Sequence, residues 1–325
     1  MRFHYIPLFA LCASAAAQDL GVPLSWRKFN NSRPLSERIT IAQTAINQIT
    51  PQLNSATGEF NGIGYWQSGN VWSVLANQDH LAGTTVNQAL VVANLKNVFN
   101  LWAHYDQFGV ITAAQASAGK QPNKAFAIEP TCGGATMAGG VFWRPTTDDT
   151  SVNSITTGLY ITLSAFLAEY TGNSTYTNAA ILSANWIKAH NINANNLILD
   201  TVDAEDCSTS PDTWLFTYNS GKYIEGLNVL AAVTGNSQWT TLMINILNAA
   251  VKTNVWEGSD GIITEGASPT SNNDGVGFKV MYNALLDLAA NGSTYSSAWH
   301  GPPQAFTTWG QLAAIDVLTC NIDTN

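Results

Sequence analysis

A chain of 325 residues with a net charge of −9 and only 11% charged residues has room for one large domain with a substantial core. The acidic balance excludes a protein built to grip nucleic-acid phosphates, which call for Lys and Arg. Asn, Thr, Ser and Ala are abundant instead, a composition suited to meeting neutral polymers outside the cell.

Met1-Arg2, an apolar run from Pro7 to Cys12 and the small residues Ala13 to Ala17 predict a cleavable secretory leader over residues 1–17. That leaves a single domain over 18–325. The run is too short to span a bilayer, and no later segment is long and apolar enough. The expected location is extracellular, free or associated with a cell wall. Sequons at Asn30, Asn173 and Asn291 are candidate N-glycosylation sites.

Apolar residues then recur at helical spacing along the chain. The stripes are Ile39/Ala42/Ile46/Ile49, Leu90/Leu95/Val98/Trp102/Tyr105 and Ile155/Leu159/Leu163/Phe166/Leu167/Tyr170. They continue with Ile181/Ala184/Ile187, Tyr223/Leu227/Leu230/Val233 and Phe278/Met281/Leu285/Leu288. Each is bounded by Gly, Pro, Asn or Thr clusters that stop helices, and each is expected to face a core. One phrase occurs twice between stripes. Thr171-Gly172-Asn173-Ser174 returns as Thr234-Gly235-Asn236-Ser237. Gly suits the left-handed end of one helix and Asn the cap of the next. A recurring stop-and-start unit predicts stacked helical hairpins.

Beyond the leader the cysteines are Cys132, Cys207 and Cys320. In an oxidising compartment two would pair. Cys132 with Cys207 is the expected bridge, since both fall in loops beside helix starts, although spacing alone does not exclude the other pairings. Asp200, Asp203, Glu205 and Asp206 lack the spacing of a calcium loop and read as a solvated acidic stretch. Asp148-Asp149 is the only adjacent aspartate pair and precedes a helical stripe, where acids favour the positive end of a helix. The histidines are scattered. No nucleophile elbow, zinc-protease motif or phosphate-cradling loop occurs, so no cofactor and no metal are expected.

The loops between the stripes hold Gly64-Tyr65-Trp66-Gln67-Ser68-Gly69-Asn70, Gly139-Gly140-Val141-Phe142-Trp143 and Thr217-Tyr218-Asn219-Ser220-Gly221. Trp66, Trp143 and Tyr218 stand among Gly and Asn in these loops. A flat aromatic ring can stack on the C–H face of a sugar while amides bind its hydroxyls, and loops carry function disproportionately.

In order, these loops resemble glycoside hydrolase family 76, the α-1,6-mannanase-like enzymes of fungi and bacteria. The first is similar to the family's aromatic-Trp-Gln-x-x-Asn opening of an inner helix, and the second to its Gly-Gly-aliphatic-aromatic-Trp segment. Asn153 falls near an Asn that follows that segment. Tyr218-Asn219-Ser220-Gly221 resembles its Tyr-Asn-Gln-Gly turn, with Ser for Gln, and Phe278-Lys279 its Phe-Lys-Gly, with Val280 for Gly. The resemblance runs from about residue 37 to 318.

It implies an all-α fold, an (α/α)6 toroid, and a glycoside hydrolase that cleaves a mannan-like polysaccharide by a retaining mechanism; a monomer is expected. Trp66, Gln67, Asn70, Trp143, Asn153, Tyr218 and Asn219 would bind the substrate. The family's catalytic adjacent aspartates should fall between Tyr105 and Gly139, and none does. Asp148 and Asp149 are the remaining candidates. A ring short by about one hairpin at Gly109–Val110 is therefore expected. The alternatives to a glycosidase are a non-catalytic carbohydrate-binding protein and a truncated product of a faulty gene model.

Overall fold

The structure, a computed structural model, describes residues 33–101, 124–144, 146–256, 286, 289–297 and 303–323. The leader, Asn30, Trp102, Tyr105, the Gly109–Val110 junction and the Phe278 stripe with Lys279 lie outside them. Among the described residues the α-helices are α1 (Leu35–Ile49), α2 (Tyr65–Ala82), α3 (Gln88–Leu101), α4 (Ser154–Thr171), α5 (Ser174–His190), α6 (Thr217–Thr234), α7 (Ser237–Ala250) and α8 (Thr308–Cys320). Four two-stranded antiparallel ribbons sit between them: β1–β2 (Leu53–Asn54, Glu59–Phe60), β3–β4 (Thr131–Cys132, Ala135–Thr136), β5–β6 (Ser151–Asn153, Thr201–Asp203) and β7–β8 (Ala290–Asn291, Thr294–Tyr295).

The repeated phrase builds the same joint twice. Gly172 and Gly235 end α4 and α6 in the left-handed region, at φ of 65° and 63°. Asn173 and Asn236 then cap α5 and α7 by accepting from the backbone N–H of Thr175 and Gln238. Each cap satisfies one of the donors that a helix start leaves open.

Among the described residues, helix packing forms two hydrophobic clusters. One gathers Ile46, Ile49, Phe60, Trp72, Leu75, Leu312 and Leu318 from α1, α2, α8 and their ribbons. Here the last helix returns to the first. Gln311 donates to the Ala45 carbonyl at 2.9 Å, Arg38 to that of Asn321 at 2.8 Å, and Thr308 to that of Asn61 at 2.6 Å. The second cluster gathers Met137, Phe142, Ile161, Trp186, Tyr223 and Leu227 from α4 to α7 and the β3–β6 ribbons. The stripes of α1, α5 and α6 face these cores as expected.

The α4 stripe does so only in part, through Phe166. Leu159, Leu163 and Tyr170 are exposed, while Thr157, Gly158, Ile161, Ser164 and Ala165 are buried. Close approach of α6 explains the reversal. At Gly158 a Cβ would stand 3.2 Å from Lys222 Cβ, and at Gly226 it would stand 2.7 Å from Ile161. Small residues line such a contact because nothing larger fits.

Candidate functional site

The site is assembled on β5–β6. Asn153 pairs with Thr201 and Ser151 with Asp203. The strand ends where Asn153 becomes the cap of α4, its Oδ1 accepting from the N–H of Ile155 and Thr156 at 3.1 and 3.3 Å. Its Nδ2 donates to Thr201 Oγ1 at 3.2 Å. The N–H of Ser154 donates to the Asp200 carbonyl at 2.8 Å, and the Ser154 hydroxyl to that of Leu199 at 2.6 Å. The start of α4 is thus plugged into β6.

Asp200 is the hub of this wall. It is only 9% exposed. Oδ1 accepts from Asn219 Nδ2 at 2.9 Å and from the Tyr218 hydroxyl at 3.4 Å, and Oδ2 accepts from Thr201 Oγ1 at 3.0 Å. A buried carboxylate is tolerated when donors surround it. Here they tie Asn153, Thr201, Tyr218 and Asn219 into one network. Tyr218 stacks flat on Phe216, centroids 5.4 Å apart, and the neighbouring Trp214 is exposed. Asn219 Oδ1 and Ser220 Oγ are buried and have no hydrogen-bond partner among the described residues. Asp200 is therefore not the solvated acid its neighbourhood suggested. Asp203 is bound too, capping the N–H of Glu205 and Asp206, both of which are exposed.

Trp143 joins the wall through the backbone. Its N–H donates to the Ser151 carbonyl at 2.9 Å, and that of Asn153 donates to Val141 at 3.0 Å. The indole is 51% exposed, and the Arg144 guanidinium lies 4.0 Å from its ring centre. The preceding glycines have a steric reason. Gly139 has φ of 108°, where a Cβ would meet Leu182 O at 2.5 Å, and at Gly140 it would strike Val152 and Trp186.

The two adjacent aspartates part company. Asp149 is nearly buried, accepts from the Arg144 N–H at 2.8 Å and lies 3.8 Å from the Lys124 ammonium. Asp148 is in solvent, and a hydrogen bond from the Thr146 side chain is the main reason its carboxyl is held below the usual range. One carboxyl is thus paired with a buried ammonium and the other is exposed.

Trp66, Gln67 and Asn70, expected in a loop, lie instead in the first turns of α2, as Tyr218 and Asn219 lie in the first turn of α6: Gly64 and Phe216 are extended and the helices begin directly after them. Trp66 is 43% exposed and meets Trp309 of α8 edge-on at 6.5 Å. Gln67 is buried beneath Gly64 and Asn70 is exposed. Burial is the main cause that pushes the neighbouring Tyr65 hydroxyl up, with Glu59 adding to it. Sequence reasoning missed Trp309, whose signal was only an aromatic at a helix start. It also missed Asp200. Cys132 and Cys207 form a disulfide that ties the β3–β4 ribbon to the acidic loop after β6. Among the described residues no cluster of His, Cys, Asp and Glu could hold a metal ion, and no helix is long and apolar enough to cross a membrane.

Among solved structures, an α-1,6-mannanase of Salegentibacter sp. superposes with a TM-score of 0.70 at 15% identity, covering 88% of this chain and 99% of that one. That protein is an inactive variant, with two consecutive aspartates replaced by asparagine, in complex with α-1,6-mannotriose. Dfg5 of Chaetomium thermophilum, in complex with glucosamine, gives 0.69 at 15% identity over 91% of this chain and 92% of its own. At these identities the likeness establishes the shared α/α-toroid fold. By sequence, the mannan endo-1,6-alpha-mannosidase DCW1 of Saccharomyces cerevisiae is 32% identical over 144 residues, 42% of this chain and 31% of that protein. The same yeast's DFG5 is 27% identical over 162 residues, 47% and 35% respectively. The chain thus spans about a third of the length of these relatives. The profile described as Glycosyl hydrolase family 76 matches residues 128–300, the stretch that holds Trp143, Asn153, Asp200 and Tyr218. With more than half of its length so matched, the chain belongs to glycosyl hydrolase family 76.

Proposed function

We propose that this protein is a secreted glycosidase of the α-1,6-mannanase type, which binds a mannan-like chain against the β5–β6 wall and cleaves it with retention. One observation carries the reading: a buried carboxylate, Asp200, organises Asn153, Tyr218 and Asn219 beside the exposed ring of Trp143. Rigid amides and a flat ring, held from behind, are what a sugar's hydroxyls and C–H face require. Trp66, with Trp309, and Asn70 would extend the binding surface on α2 and α8. Gln67 and Asn219 would act from behind, by orienting those in front. The chain would work as a monomer, with glycans on exposed Asn173 and Asn291, and needs no cofactor.

Retaining hydrolysis needs two carboxyls about 5 Å apart, one to attack the anomeric carbon and one to protonate the leaving oxygen. Asp149 is committed to Lys124 and the Arg144 N–H, and Asp148 points into solvent. A second reading is binding without cleavage. Purified protein incubated with α-1,6-mannan oligomers decides between them. New reducing ends with retained anomeric configuration support the glycosidase. Calorimetric binding with no product supports the second reading, and neither binding nor product ends both.

A further inference from the structure

The segment that presents Trp143 to solvent closes around a buried cation. The side chain of Lys124 is 1% exposed. Its ammonium donates to the carbonyls of Arg144, Thr146 and Asp149 at 3.2, 2.9 and 2.6 Å. An ammonium has three N–H groups, so one loop takes them all. Asp149 Oδ2 stands 3.8 Å away, and the ammonium rests 4.0 Å from the centre of the Phe142 ring. The N–H of Ala125 donates to Thr147 O at 2.8 Å, completing the seam.

Such an arrangement is costly. Burial lowers the pKa of Lys124, with Asp149 and then Asp148 pulling it back up. Removing a cation from water is repaid only by full pairing and hydrogen bonding. A surface loop gains little global stability from that investment, because loops of this length ordinarily leave their carbonyls to water. What the cage does determine is the direction of the chain on leaving Phe142. Trp143 sits between the caged ring and the caged Arg144 carbonyl, and Asp149, held on the same ammonium, receives the Arg144 N–H. The guanidinium–indole stack is built on that frame.

We propose that Lys124 is a positioning residue for sugar binding: its ammonium, caged by the carbonyls of Arg144, Thr146 and Asp149, sets the orientation of the exposed Trp143–Arg144 platform. The inference rests on the proposed carbohydrate reading, and the experiment separates the two. Affinity for α-1,6-mannotriose is measured calorimetrically on the full secreted chain, for wild type, K124M, W143A and the double variant K124M/W143A, alongside each thermal midpoint. K124M and W143A should each weaken binding on the order of tenfold, the effect of losing one well-packed contact. The double variant should bind no more weakly than W143A, since residues acting through one group are not additive. Wild type that fails to bind overturns the carbohydrate reading itself. If wild type binds and K124M matches it, Lys124 plays no positioning part. Losses that multiply in the double variant place its effect away from Trp143 and overturn the inference equally. If K124M does not melt cooperatively, K124Q, which retains a donor, replaces it in the cycle. Failure of both to fold makes the residue structural and ends the proposal.

Discussion

Asn153 and Asn173 begin consecutive helices with the same chemistry, each offering Oδ1 to the first N–H groups of the helix that follows. Their surroundings differ. Asn173 is exposed at the end of a hairpin, whereas Asn153 is 4% exposed and spends its amide on Thr201, one bond from Asp200. Local capping therefore says where a helix starts, and a partner distant in sequence says whether that start belongs to a site. The glycines repeat the contrast. Gly172 and Gly139 both hold positive φ, but a Cβ on Gly172 meets nothing within 4 Å and one on Gly139 meets the Leu182 backbone.

The largest test of this contrast is the disulfide, which braces only the β5–β6 side. Cys132→Ser with Cys207→Ser opens a bridge between residues 75 apart and should cost about 4 kcal/mol on chain-entropy grounds. Denaturant unfolding of oxidised and reduced protein measures it. If the loss is negligible, the bridge does not constrain this half. Gly139→Ala comes next, at roughly 3 kcal/mol, since strain and overlap with fixed backbone add together. Gly172→Ala should lose only about 1 kcal/mol. Equal thermal shifts for the two would erase the distinction between hairpin end and site.

Asp200→Ala removes the shared acceptor of Asn219, Tyr218 and Thr201, at about 2–3 kcal/mol for a buried charged hydrogen-bonding group. It should also abolish detectable mannotriose binding, as read by titration calorimetry. Binding that survives intact would remove Asp200 from the site. The smallest effect sharpens the opening pair. Asn173→Ala should cost about 1 kcal/mol, a lost cap, and leave binding unchanged. Asn153→Ala should cost about 2 kcal/mol, having lost both cap and network, and weaken binding too.

Legibility in the sequence followed the range of the interaction. The hairpin joints at Thr171–Ser174 and Thr234–Ser237 could be read directly, because a left-handed Gly and an Asn cap act within a few residues. The ordered loop motifs pointed to the family, and Asn153, Tyr218 and Asn219 do come together. The face of α4 was misread. Periodicity marks an apolar stripe, but the tight approach of α6 favoured burial of small residues such as Thr157 and Gly158 instead.

The chain by itself determined the two repeated hairpin joints and its family, carried by short-range backbone chemistry and ordered motifs. Tertiary structure decided what each acid holds. Asp200 became a hub because Asn219 and Thr201 converge on it, and Asp149 became a strut because Lys124 is buried beside it. The two carboxylates are chemically alike in sequence. Their roles differ because burial and the donors brought to each come from elements folded together across tens of residues.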